Sequence, residues 1–331
     1  SPTESPATHS IAMWEKVANG QIKSIWVSVT NPFQTLPDLN NYLERIRTND
    51  SFIVVSDIYP TATTAEADVV LPSACWVEKG GVFGNSERRT QHFGRLVAPP
   101  GEARADAWQF VEVARRMGHG ALFPASWDTD LNRSLYEEYR LCTLGTGHDV
   151  ASYDELIASR GLRWPVIDGD ETLIRFNRSY DSRVRPGVPD GIEFYGKADG
   201  RAVVWSRPYE PPPEVPSAEY PYWLCTGRVF EHWHSGTMTR RVPQLHRAMP
   251  EALVYLNNTD AAAEGIAAGD QVRVISRRGT VVLRAALECR TSMPAGMIFV
   301  PFFDESKLIN NVTLGAIDPQ SKQPDYKKCA V

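Results

Sequence analysis

Residues Ile22–Asp57, IKSIWVSVTNPFQTLPDLNNYLERIRTNDSFIVVSD, carry the fold in one pass. Ile22 to Val29 is a short run rich in β-branched and aromatic residues, which predicts a strand. Thr30-Asn31-Pro32 stops it. Pro37 and Asp38 then open a helix whose apolar positions Leu39, Leu43 and Ile46 fall at helical spacing. Phe52 to Ser56 is a second strand, ending at Asp57. Strands alternating with helices imply a parallel sheet, so this stretch predicts a doubly wound α/β fold.

The pattern continues outward. A turn at Tyr59-Pro60 and a short helix near Thr63 to Ala67 lead to a third strand, Asp68 to Leu71, closed by Pro72. The long loop CWVEKGGVFGNSERRTQHF follows, and then a helix near Ala107 to Met117 expected to bury Trp108, Val111 and Ala114. Prolines crowd the stretch from Arg183 to Tyr222, and Pro211 to Tyr220 reads as a stiff interdomain connection. The last hundred residues are strand-rich. Strands are predicted at Tyr222–Cys225, Ala252–Leu256, Gln271–Ser276, Val281–Leu287 and Met297–Val300, with a short helix over Thr259–Ala268. The turn at Arg277-Arg278-Gly279 reads as a hairpin with Gly279 at positive φ. Many short strands with tight turns predict a small barrel. The expected division is therefore an α/β domain over 1–150, an irregular Pro-rich connection over 151–217 and a barrel domain over 218–331.

Composition narrows the function classes. With 331 residues, 42% of them hydrophobic, the chain can bury a sizeable core. A net charge of −5 supplies no electrostatic footprint for nucleic acid or an anionic membrane surface. No apolar run approaches the ~20 residues of a spanning helix, so no membrane insertion is expected. The five cysteines, Cys75, Cys142, Cys225, Cys289 and Cys329, form no CxxC pair, which excludes the usual spacing of a zinc or iron–sulfur site. The start, Ser1-Pro2-Thr3-Glu4-Ser5-Pro6, has neither an initiator Met nor the plan of a signal peptide, so a processed chain or a fragment is expected.

The candidate chemistry follows from the topology. In an open parallel sheet, ligands sit beyond the carboxyl ends of the strands. The three predicted strands end at Asn31, at Ser56-Asp57 and in a loop carrying Glu78 and Lys79. A carboxylate can accept both N–H donors of guanine's pairing edge at once, and Asp57 is placed for that. Asp106, just before a helix, is a second candidate. Lys79 is a compact charge for a phosphate, and Gly80, Gly81 and Gly84 allow close backbone approach. Asp57 and Asp106 are equally readable as helix caps, and Lys79 as a solvated loop charge. A second cluster, Thr226-Gly227-Arg228-Val229-Phe230-Glu231-His232-Trp233-His234-Ser235-Gly236-Thr237, follows a strand and offers backbone N–H groups and hydroxyls to a pyrophosphate. His232 and His234, two apart, suit one face of a strand; with no third ligand for a metal, packed or solvent-facing histidines are the default. Phe302 reads more readily as core and Asn310 as a turn residue than as ligands. There is no nucleophile elbow, phosphate-binding P-loop or HExxH motif, so no catalytic residue is assigned.

The stretches SDIYPTATTAEADVVLPSACWVEKGGVFGNSERRTQ (Ser56 to Gln91), TGRVFEHWHSGTMTRRVPQL (Thr226 to Leu245) and GIAAGDQVRVISRRG (Gly265 to Gly279), in this order, resemble the molybdopterin oxidoreductase family. EYRLCTLGTGHD (Glu138 to Asp149) and the tail from Leu308 to Val331 resemble its periplasmic nitrate reductase branch. The resemblance implies a Rossmann-like domain followed by a double-psi β-barrel. It implies a molybdenum bis(molybdopterin guanine dinucleotide) cofactor and reduction of nitrate to nitrite in the periplasm, with electrons from a dihaem c-type cytochrome subunit. Carried over residue by residue, the implied cofactor contacts are Asn31, Ser56, Asp57, Lys79, Asp106, Thr226 through Ser235, Phe302, Asn310 and Lys327. The family's four-cysteine motif for a four-iron four-sulfur cluster, and its cysteine ligand to molybdenum, match nothing in these residues. Both are expected in an N-terminal region outside them, and the chain alone is expected to be inactive. Assimilatory nitrate reductase, formate dehydrogenase and a non-catalytic cofactor-binding fragment are the alternatives.

Overall fold

The computed structural model describes residues 8–175, 204–206, 208–287, 292–325 and 327–331. Cys289 and most of the proline-dense stretch from Arg183 lie outside them. By contact, the chain forms two compact units, Ser1–Leu71 with Tyr209–Val331, and Pro72–Pro208.

The first unit opens with α1 (Ser10–Ala18), β1 (Ser24–Ser28), the single turn α2 (Pro32–Thr35), α3 (Leu39–Asn49) and β2 (Phe52–Asp57). β1 and β2 pair in parallel from Ser24↔Phe52 to Ser28↔Ser56, and β3 (Val69–Pro72) completes the order β1-β2-β3. This is the Rossmann-like parallel sheet that the alternation predicts. Its core joins Val27, Ile53 and Val55 of the sheet to Trp14 and Val17 of α1 and Leu39, Tyr42 and Ile46 of α3. The predicted helical face thus holds, with Tyr42 buried and Leu43 packed at its margin. The segment near Thr63 is a 3-10 turn, Thr64–Glu66.

The second unit contains β4 (Gly81–Gly84), β5 (Arg89–Phe93), α4 (Asp106–Ala114), α5 (Leu131–Thr143), α6 (Tyr153–Ala158) and the two-residue strands β6 (Leu162–Arg163), β7 (Val166–Ile167) and β8 (Asp170–Glu171). The stretch after Ala151, expected to be irregular, is therefore built into this unit up to Glu171. Its core gathers Tyr136, Val150, Tyr153 and Leu156. The Arg163 guanidinium and backbone N–H, bonded to Glu171 at 3.0 Å each, hold that carboxyl down at about 2. On α4 the expected burial of Trp108 fails: Val111 and Gln109 face inward, while Trp108 is exposed with Arg104 over its ring. Gln109 wins the inner position because its amide meets the carbonyls of Pro72 and Arg104.

The chain then returns to the first unit. β9 (Trp223–Gly227), α7 (Pro243–Ala248), β10 (Leu253–Tyr255), α8 (Asn258–Ala263), β11 (Gln271–Ser276), β12 (Gly279–Ala286), β13 (Met297–Pro301) and β14 (Lys328–Ala330) follow. The strands make a curled, half-barrel sheet of order β11-β12-β10-β13-β9-β14. Its core side carries Leu224, Val254, Leu283, Ile298, Val300 and Cys329. Burial pushes the Cys329 thiol up to about 11. The β11–β12 hairpin forms as expected, but Gly279 is not among the glycines with positive φ. Its need is close approach: a Cβ there would meet the Asn40 amide at 2.8 Å and the Asn311 carbonyl at 3.0 Å. The segment read as a stiff connection is strapped to the sheet. Glu214 accepts from Arg277 at 2.7 Å, Arg278 at 2.8 Å and the Ala330 N–H at 3.1 Å.

Candidate functional site

The carboxyl ends of β1 and β2 supply one wall of a cleft. β1 ends as Val29 turns to φ 50°, its N–H still bonded to Ser56 O at 2.8 Å, and Asn31 then starts α2. Asn31 is 6% exposed, and its side chain is spoken for. Oδ1 accepts from the Thr63 N–H at 3.1 Å and hydroxyl at 2.6 Å, while Nδ2 donates to Gln34 Oε1 at 2.7 Å. Ser56 is fully buried and its hydroxyl takes the Trp26 indole N–H at 2.8 Å. Asp57 stands at the end of β2, where Oδ1 accepts from the next N–H, that of Ile58, at 2.7 Å. It does not cap the turn at Thr64–Glu66, which starts from Thr63.

The opposite wall is the loop after β9. Thr226 is the next-to-last residue of β9, buried, with its hydroxyl unpartnered among the described residues. Gly227 admits the Phe299 ring, which a Cβ would meet at 2.8 Å. Phe230 is 96% exposed and Trp233 65% exposed, with Arg228 over the Trp233 ring at 5.5 Å. The two histidines do not share a strand face, because the chain here is coil. His232 is buried against Phe303, its Nε2 donating to the Met249 carbonyl at 2.8 Å and its Nδ1 meeting the Thr239 hydroxyl at 3.1 Å. His234 is exposed in the left-handed region, φ 49°, edge-on to Trp233.

Between the walls lies a cleft of about 440 Å³, lined by Thr30, Asn31, Asp57, Trp233, His234 and Ser235 among others. Of the predicted residues, the fold brings these strand-end and loop groups together. Val229 packs at the margin of the barrel core and Glu231 is buried. Phe302 also packs at that margin, and Asn310 is 1% exposed, donating to the Gln34 carbonyl at 3.0 Å. Lys327 contributes its carbonyl to the Thr226 N–H at 3.0 Å.

Lys79 and Asp106 belong to the other unit, where they form an ion pair with each other. Asp106 also accepts from the Ser73 hydroxyl at 2.9 Å. Asp106 is the first residue of α4, after an Ala105 cap, so its carboxylate serves this cluster and not the helix end.

Sequence reasoning missed Gln34, Thr63 and Trp26, which fasten the named residues. Gln34, 2% exposed, donates to the carbonyls of Ser235 at 3.1 Å and Phe302 at 3.0 Å. A polar residue on the one-turn helix after Asn31-Pro32 was the available signal.

Two family descriptions match this chain: Molybdopterin oxidoreductase over residues 3–116 and Molydopterin dinucleotide binding domain over residues 222–330. The structure is similar to acetylene hydratase from Pelobacter acetylenicus, with a TM-score of 0.68 and 20% identity, over 96% of this chain. The likeness spans 45% of the hydratase chain, and at that identity it speaks for the fold. With both domains present in order on this fold, the chain belongs to the molybdopterin oxidoreductase family.

Proposed function

We propose that the cleft between Asp57 and the Trp233 loop holds a guanine nucleotide arm of a molybdenum bis(molybdopterin guanine dinucleotide) cofactor. The placement of the Asp57 carboxylate on that wall, across from Trp233, His234 and Ser235, carries the reading. The residues fit such a group. A carboxylate matches two adjacent N–H donors, the exposed Trp233 ring offers a flat face to a base, and the Thr226 hydroxyl, unpartnered among the described residues, leaves a buried donor at the start of the loop. When bound, the cofactor supplies the two-electron chemistry at molybdenum. The chain's own part is to bind and orient: Asp57 reads the base edge and the 226–235 segment lines the dinucleotide.

The chain works, on this proposal, within the catalytic subunit of a periplasmic nitrate reductase that takes electrons from a dihaem c-type cytochrome. The segments Glu138–Asp149 and Leu308–Val331 favour that branch over the assimilatory enzymes and formate dehydrogenases. The test of the base-reading step is calorimetric titration of the 331-residue chain with GDP, ADP and CDP. GDP should bind most tightly, and Asp57→Asn should erase the preference by about tenfold or more, since one acceptor becomes a donor. Equal binding of the three nucleotides by the wild type would remove the guanine assignment.

A further inference from the structure

We infer that Gln34 is a positioning residue that sets the width of the cleft and, through it, nucleotide affinity; the second half of this rests on the nucleotide-binding reading above. Gln34 does not line the cleft. It sits behind it, on α2, almost without solvent.

Its bonds account for every polar atom of its amide. The nitrogen donates to Ser235 O, 201 positions along the chain, and to Phe302 O, 268 positions along. Both acceptors are main-chain carbonyls, which cannot donate, so the nitrogen must face them and the orientation of the amide is fixed. Oε1 is thereby turned to Asn31 Nδ2 at 2.7 Å, and Asn31 is held in turn by Thr63. The Gln34 carbonyl receives Asn310 Nδ2 at 3.0 Å. One side chain therefore joins the sheet-edge wall, through Asn31, to the loop wall, through Ser235. Two residues before Ser235, Trp233 has no comparable anchor in its ring: it is exposed, touched by Arg228 and His234. The orientation of that ring is thus inherited from the backbone of 233–236, which the Thr239 hydroxyl holds at the Trp233 N–H (3.1 Å), the Gly236 N–H holds at the Trp233 carbonyl (2.9 Å) and Gln34 holds at Ser235.

The test uses the 331-residue chain with 5-fluorotryptophan, the Trp233 resonance being assigned by its loss in Trp233→Phe. Gln34→Met removes both carbonyl contacts at nearly constant volume. Gln34→Asn keeps the amide but is one methylene too short to span both carbonyls, and it serves if the Met variant does not fold. Leu283→Ala, in the half-barrel core, supplies a destabilised control. In the Gln34 variants the Trp233 resonance should shift and its relaxation should report faster motion. GDP affinity should fall about tenfold, the size expected when one well-formed buried contact is lost. The control should show neither change. An unaltered Trp233 signal in both Gln34 variants, or an equal change in Leu283→Ala, overturns the positioning role. A wild-type chain that ignores GDP would defeat the nucleotide reading and leave the fluorine comparison to decide this one.

Discussion

The two walls of the cleft are built on opposite principles. Behind the sheet-edge wall, Asn31, Gln34, Ser56 and Thr63 are all 6% exposed or less, and each has named hydrogen-bond partners. The loop wall leaves Trp233 largely in solvent, and the same loop leaves Phe230 exposed over a separate recess, with only its rear, at His232, packed. A buried polar group is costly unless bonded, so the first wall holds one shape. Exposed aromatic rings on a loop cost little to move and gain apolar contact when covered. The difference suits a site in which one wall is preformed and the other closes on its ligand.

The largest effect that would sharpen this contrast is on the preformed wall. Asn31→Leu leaves the Thr63 N–H, the Thr63 hydroxyl and Gln34 Oε1 without their partner in a buried place. At about 1–3 kcal/mol per orphaned group, with the hydroxyl able to rotate, the loss should be about 3 kcal/mol in urea unfolding of the 331-residue chain. A loss below about 1 kcal/mol would mean that the wall is not the rigid partner.

How much of this was readable beforehand depended on whether the signal was local. The β1–α3–β2 unit was legible because its periodicities, two and then 3.6, lie within one stretch. So was the β11–β12 hairpin, although Gly279 serves packing against Asn40 and Asn311, more than 30 residues away on either side, and not a φ requirement. Asn31 and Asp57 were found because strand ends are legible too. Gln34 was not, because its meaning lies in carbonyls over 200 residues distant, and a main-chain carbonyl leaves no trace in the side-chain alphabet. The histidine pair, one packed and one solvent-facing as the default has it, departs from the expected shared strand face for a related reason. Period-two spacing was read as a strand face, but the chain leaves β9 at Gly227, and φ 49° at His234 turns that ring away from the packing of His232.

That divergence supplies the intermediate effect. His232→Leu removes both ring-nitrogen contacts, to Thr239 and to the Met249 carbonyl, inside a site that is 2% exposed. About 2 kcal/mol should be lost, because the Met249 carbonyl loses its donor in a part-buried place and the Thr239 hydroxyl keeps only the Trp233 N–H. His234→Gly should stay within about 0.5 kcal/mol, relief of the left-handed backbone being offset by the freer unfolded chain. Equal costs for the two, by the same urea measurement, would erase the distinction between the packed rear and the open front of the loop.

The smallest effect on stability is at Phe230, and it separates folding from covering. A side chain 96% exposed makes too few contacts to hold anything, so Phe230→Ser should change unfolding free energy by less than about 0.5 kcal/mol. The same substitution should lower the fluorescence of a bound naphthalene-sulfonate dye and reduce self-association at high protein concentration. Phe230 lines an apolar recess of about 370 Å³ with Met249, Tyr255, Met293, Met297 and Phe299, and the ring is the most solvent-exposed large apolar group of the described residues. Were Phe230→Ser to cost as much as His232→Leu, the ring would belong to the folded framework, and the exposed front of the 226–235 loop could not be the part that waits to be covered.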